Sequence, residues 1–193
     1  MITKKLIFVI APLLFALTAC ATPSSPEAAA NPTASSSKAS AVYATPKSCT
    51  DTTILATISP LIKDAKFIDT KWQPVAGTEL ADFLDNHGIA CSYGDARAAI
   101  GTTIKWVAKA TDLFTNRVSE WQSLNYQKVD LANVDESAAY FLYQPVGPKQ
   151  EFQIWALNIL INGTWIQINA TYLTDLTGAT SLISAALDSS LVK

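Results

Sequence analysis

Phe152-Gln153-Ile154-Trp155-Ala156-Leu157-Asn158-Ile159-Leu160-Ile161-Asn162-Gly163-Thr164-Trp165-Ile166-Gln167-Ile168-Asn169-Ala170-Thr171-Tyr172 is a pair of apolar-rich runs joined by Asn162-Gly163. That dipeptide accepts the two positive φ angles of a two-residue type I′ turn, so the stretch is predicted to be a β-hairpin. The turn also sets the register. Pairing Ile161 with Thr164 places Ile159 opposite Ile166, Leu157 opposite Ile168 and Trp155 opposite Ala170, while Asn158 meets Gln167 and Ala156 meets Asn169 on the other face. One face is greasy and the other largely polar, the pattern of an antiparallel sheet covered on one side. Trp165 and Leu160 lie side by side on the polar face. Trp165 is therefore either covered by another helix layer or exposed in a binding patch.

Working outward, further strands are expected at Ile89 to Tyr93, Ala99 to Lys109 and Ala138 to Tyr143, with edge pieces at Lys66 to Thr70 and Gln127 to Asp130. In the second of these the alternation turns Ile104 and Trp106 inward and Lys105 and Lys109 outward. Thr78 to Gly88 carries an N-cap threonine, acids in its first turns and a closing glycine, which predicts a helix. Asp112 to Leu124 sets Leu113, Phe114, Val118, Trp121 and Leu124 on one helical side. Thr177 to Ser190 does the same with Ala179, Leu182, Ile183, Ala186 and Leu187, and a first helix near Thr50 carries Ile54, Leu55 and Ile58 up to Pro60. Antiparallel strands interleaved with helices predict an α+β fold with helices packed on the sheet.

The N-terminus reads differently. Lys4 and Lys5 precede an apolar run from Leu6 to Leu17, and Leu17-Thr18-Ala19-Cys20 resembles the lipobox of a bacterial lipoprotein. That resemblance implies a signal peptide over 1–19 and a diacylglyceryl-modified Cys20. About a dozen apolar residues fall short of the roughly 20 that a spanning helix needs, so an uncleaved anchor is the weaker reading. An ordinary secretory signal shares every feature except Cys20. From Cys20 to Lys47 the chain is nearly all Ala, Ser, Thr and Pro, a linker composition, and the folded domain is expected over 48–193. Acyl chains contribute about 0.8 kcal/mol per buried methylene, enough to hold such a domain on a membrane.

Removing residues 1–19 leaves 174 and takes Lys4 and Lys5 with it, moving the formal charge from −2 to −4. A mildly acidic chain without a basic run argues against nucleic acid, which demands clustered phosphate-neutralising cations. Beyond Cys20 the only cysteines are Cys49 and Cys91. In an exported chain these are expected to form a disulfide, and the competing reading of a catalytic thiol with His87 lacks a nucleophile context.

The order of these features resembles a known group. Cys49 opening a helix, Cys91-Ser92-Tyr93 in a strand, a meander, a late hairpin and a C-terminal Ala/Leu helix are similar to small actinobacterial envelope lipoproteins of the LpqN-like group, with its PsbP/Mog1-like α-β-α sandwich. The likeness spans Ser48 to Lys193 and is one of organisation. It implies that sandwich fold and carries over no catalytic residue. Tyr93 stands where that group often has tryptophan.

Chemistry-bearing residues are sparse. His87, the only histidine, sits at a helix end beside Asp85 and Asn86 and reads as a solvent-facing helix terminus. No metal site is expected from one histidine and scattered acids, nor is a cofactor, since no phosphate loop, dinucleotide fingerprint or Cys-x-x-Cys motif is present. Asp82 with Asp85, and Asp130 with Asp135 and Glu136, are the acids a wall glycoside hydrolase would use if two faced each other. Trp72, Trp106, Trp121, Trp155 and Trp165 are the aromatics that could line a pocket or an interface, and of these Trp106, Trp121 and Trp155 sit at core-facing positions. Trp165, Leu160, Trp155 and Tyr172 are the candidate surface or pocket. These features lead to a lipid-anchored, extracytoplasmic, non-enzymatic binding or accessory module, its partners the membrane through the lipid and an envelope protein, wall or lipid ligand. The alternatives are a carrier of a small apolar ligand or lipid, and the hydrolase.

Overall fold

The computed structural model describes residues 41–132, 134, 137–148 and 152–192. The signal segment, Cys20, the linker up to residue 40, Asp135 and Glu136 lie outside the described residues. The chain is α+β. After a 3-10 turn at Cys49–Asp51 come α1 (Ile54–Ile58), β1 (Lys66–Ile68), α2 (Glu79–Asp85), β2 (Ile89–Asp95) and β3 (Ile100–Val107). There follow α3 (Thr111–Ser123), β4 (Gln127–Val129), β5 (Ser137–Gln144), β6 (Ile154–Ile161), β7 (Thr164–Ala170) and α4 (Thr180–Ser190). The strands form one seven-stranded sheet in the order β1-β2-β3-β7-β6-β5-β4, antiparallel throughout.

The β6–β7 hairpin lies in the middle of that sheet with the register its turn dictates: Ile161 pairs Thr164, Ile159 pairs Ile166, Leu157 pairs Ile168 and Trp155 pairs Ala170. Asn162 and Gly163 have φ of 46° and 76°, the two left-handed conformations a type I′ turn requires. The greasy face packs on α1 and α4, where Ile54, Ile58, Leu182, Ile183 and Ala186 meet Ile104, Trp106, Leu157, Ile166 and Ile168. Trp106 donates its indole N–H to the Ala186 carbonyl at 2.9 Å, fixing α4 across the strands. Burial of each such side chain contributes roughly 1.5–3 kcal/mol.

The polar face is covered too, contrary to the one-sided sheet predicted from the pattern. Phe83 of α2 and Phe114 and Trp121 of α3 cluster with Val107, Tyr140 and Trp165 on it. The reason is chemical. Asn158 and Gln167 are satisfied largely inside the protein, so their polarity does not mark solvent. Lys105 is overturned with them: it lies on this face as the alternation requires, yet is only 8% exposed, its ammonium 5.4 Å from the Phe83 ring centre. Leu124, expected on the buried side of its helix, is instead the exposed C-cap residue of α3.

Cys49 and Cys91 form a disulfide, with their Cα atoms 5.5 Å apart. The packed domain also reaches further back than Ser48. Tyr43 bridges to Leu191, Ala44 N–H donates to the Ser190 carbonyl at 2.7 Å, and the Asn162 amide donates to the Ala41 carbonyl at 2.8 Å. Residues 41–47, read from composition as the end of the linker, thus enter the fold beside the β6–β7 turn. No helix among the described residues is long and apolar enough to cross a membrane.

Candidate functional site

Registers across the sheet arrange the α2/α3 face in rows. Nearest the β6–β7 turn is Val107, Trp165 and Leu160; next comes Ala90, Lys105, Gln167 and Asn158. The third row is Ile68, Ser92, Thr103, Asn169 and Ala156, and the last brings Gly94 opposite Gly101, with Thr171 and Ile154 beyond. Helices α2 and α3 cover the first two rows. The other two form the floor of a groove.

The covered rows form a knot of polar and aromatic groups. Trp165 is fully buried, its ring centre 4.3 Å from that of Phe83 and 5.5 Å from that of Trp121. Its indole N–H donates to the Asn158 side-chain oxygen at 3.0 Å, and the Gln167 amide donates to the same oxygen at 2.9 Å. Glu79, at the start of α2, receives the Trp121 indole N–H and the Gln167 amide. Burial lowers the Lys105 pKa, opposed by the Glu79 carboxylate nearby. The open question at Trp165 is therefore settled as a covering helix layer. Trp165 belongs to the interior, and Leu160 packs half-buried against the same cluster.

The groove has a volume of about 360 Å³. Ser92, Thr103 and Asn169 line its floor, Ile68 and Ile154 stand to either side, and Ala96 and Ala99 of the β2–β3 turn, with Ile100 at the start of β3, close one end. Gly101 keeps its part of the floor bare, and a Cβ there would sit 2.4 Å from the Tyr93 carbonyl oxygen. Ser92 and Thr103 share a hydrogen bond of 2.9 Å. Asp95, the carboxylate in the lining, accepts from the Arg97 backbone N–H at 3.0 Å and from its guanidinium at 3.4 Å. That backbone N–H above all holds its carboxyl below the usual range. An adjoining depression continues past Ile100 and Thr171 to Val146 and Phe152, exposed at 64% and 62%.

Among the candidates read from the sequence, Trp155 takes part in this groove. Its ring packs on Phe141 with centres 5.3 Å apart, its indole donates to the Asp175 carbonyl at 3.0 Å, and it borders the groove where β6 begins. Tyr172 lies just past the end of β7, its hydroxyl buried without a hydrogen-bond partner among the described residues. Asp82 is engaged by Arg117 at 2.7 Å, so it is half of an ion pair binding α2 to α3. Asp85 is exposed. Asp130 joins Asp188 in a second groove of about 520 Å³ running along α4 past Ile183 and Leu187. Asp135 and Glu136 lie outside the described residues.

His87 is exposed with φ of 62° and closes α2 where a glycine is usual. The Gly88 N–H reaches back to the Phe83 carbonyl at 2.8 Å in a Schellman-type closure. Trp72 donates its indole N–H to the Ala90 carbonyl at 2.8 Å, covering β2 beyond the end of β1. Among the described residues, no three His, Cys, Asp or Glu side chains form a group that would hold a metal ion.

The residues that build the groove, Ile68, Ser92, Gly101, Thr103 and Asn169, were not singled out by sequence reasoning. Their one local signal is a run of small and hydroxylated residues on the polar face of β2 and β3. No family model matches this chain. No curated protein matches it either.

Proposed function

We propose that this chain is a lipid-anchored, extracytoplasmic binding module of the cell envelope, held at Cys20 and engaging its ligand in the groove between Ile68 and Ile154. One observation carries the reading: the groove lies at the end of the sheet opposite the entry of the chain. Ala41 and Tyr43 are hydrogen-bonded beside the β6–β7 turn, to Asn162 and Thr164, whereas the groove spans the β2–β3 turn and the outer ends of β6 and β7. An eight-residue strand at about 3.3 Å per residue separates the two by ~25 Å. The chain therefore enters the fold at one end of the sheet and leaves the groove free at the other.

Binding is favoured over hydrolysis because Asp95 is already engaged by Arg97 and, among the described residues, no second carboxylate lines this groove. Two experiments test the two halves of the proposal. Cys20→Ala should release the protein from membranes on fractionation, and continued membrane association would overturn the anchor. A photoreactive residue at position 154 should give envelope adducts in living cells. The same residue at position 162, near the tether, should give few. Equal labelling from both ends would overturn the oriented groove.

A further inference from the structure

We propose that the groove takes a neutral saccharide, an inference that rests on its being the binding site of this module. Charge is the first argument. Among the described residues Asp95 is the one carboxylate of the lining and is paired with Arg97, and no lysine or arginine side chain lines the groove itself. The Arg97 guanidinium beside the groove is already shared between Asp95 and Asp64, so a phosphate or carboxylate ligand would meet the Asp95 charge and lose its hydration with little replacement. The site matches an uncharged molecule.

Hydrogen-bond valence narrows the class. Ser92 and Thr103 are bonded to each other, which leaves their pair one hydroxyl proton and several lone pairs for a ligand. The Asn169 amide spends one N–H on Gln167 at 3.4 Å, and its oxygen accepts nothing from the described residues. Gln153 gives its amide N–H groups to the Thr171 and Leu173 carbonyls and keeps its oxygen open. Apart from the Asp95 carboxylate, the open groups here belong to hydroxyls and amides, and together they both donate and accept, as sugar hydroxyls do. A hydrocarbon chain laid over this row would strip water from those groups and leave them unpaired, at about 1–3 kcal/mol each. The backbones of β2, β3 and β7 are already committed to one another, so a peptide cannot add to the sheet here as an extra strand. Ile68, Ile154 and Ile100 offer the apolar contact that the C–H faces of a sugar ring need.

Calorimetry on the intact protein in phospholipid nanodiscs tests the proposal. The probes are maltotriose and a neutral N-acetylglucosamine trisaccharide, with tetra-alanine and decanoate for comparison. At least one saccharide should bind ten-fold or more tighter than either comparison ligand. Thr103→Val and Asn169→Leu should each weaken it at least ten-fold while leaving the melting temperature within about two degrees of the parent's, as expected of substitutions near the surface. No saccharide binding, tighter binding of tetra-alanine or decanoate, or an affinity unmoved by both variants would overturn it. The outcome stays distinct from that of the parent reading. If Thr103→Arg abolishes the cellular adducts from position 154 while neither saccharide binds, the groove is the binding site and the saccharide assignment has failed.

Discussion

Tyr93 and Tyr172 both carry hydroxyls shielded from water but give them different partners. The Tyr93 hydroxyl lies 2.7 Å from the Cys49 carbonyl and 2.8 Å from the Thr52 hydroxyl, whereas that of Tyr172 has no partner among the described residues. Removing a satisfied hydroxyl costs about 1 kcal/mol, and removing an unsatisfied one relieves a desolvation penalty. Tyr93→Phe should therefore lower stability by about 1 kcal/mol in urea unfolding, and Tyr172→Phe should leave it unchanged or raise it by up to ~1 kcal/mol. A loss of the same size in both would mean that the Tyr172 hydroxyl finds a partner in solution. Burial pushes Tyr172 up to about 12, and burial followed by the Glu79 and Glu120 charges does the same to Tyr126. A phenol whose pKa is raised in the folded state contributes stability that is whole below its unfolded value near 10 and is lost as pH rises toward 12. Lys105 works in the opposite sense: its pKa is lowered on folding, so the penalty it imposes fades as pH climbs toward its unfolded value. Alkaline unfolding followed by circular dichroism should thus set in above pH ~10 and be delayed in Tyr172→Phe.

Helix α2 holds its place through side chains that few helices bury. Glu79 reaches Trp121 and Gln167, Asp82 pairs with Arg117 at 2.7 Å, and Phe83 stacks on Trp165 above Lys105. Glu79→Ala should cost roughly 2–3 kcal/mol, because it strands the Gln167 and Trp121 donors and removes the charge that faces Lys105. A cycle combining it with Lys105→Met should show a coupling of about 0.5–3 kcal/mol. Hydrogen exchange should quicken over Glu79 to Asp85 and not in β6 or β7, and uniform quickening would show that α2 does not open as a separate unit. This layer also shows where sequence reading stopped. The strands were legible because period-2 alternation is local, and the hairpin register was legible because Asn162-Gly163 fixes it within the turn. What lies over Asn158 and Gln167 was not legible. Glu79, which accepts from Gln167, stands 88 residues from it in sequence, and an alternating strand reads the same whether its polar face meets water or a carboxylate. The groove was hidden for the same reason. Ser92, Thr103 and Asn169 become one row only after β2, β3 and β7 have paired, and nothing in their own neighbourhoods announces it.

At the scale of the whole molecule, the N-terminal segment is joined to the sheet twice, by a hydrogen-bonded clip and by the disulfide. Residues 41–45 are held by hydrogen bonds to Asn162, Thr164, Ser190 and Ala108, and four residues beyond Thr45 comes Cys49, covalently joined to Cys91 in β2. Load arriving along the N-terminal segment meets the hydrogen-bonded clip first and the covalent link next. Cys91, buried beside Ile104, lies in β2, second from the edge of the sheet, so the link passes that load into the strand whose Ser92 and Tyr93 line the groove. Closing a ring across a sequence separation of 42 restricts the unfolded chain by up to ~4 kcal/mol. The paired Cys49→Ser and Cys91→Ser variant should lose most of that in urea unfolding, and the parent protein in reductant should lose about as much. If the double variant falls by less than ~1 kcal/mol, the ring restrains little and the clip with its core contacts already secures the N-terminal segment. Amide exchange separates the two cases, because a weight-bearing disulfide predicts that its loss frees Tyr43 to Thr45 and the Cys49–Asp51 turn while Thr103 and Asn169 keep their protection.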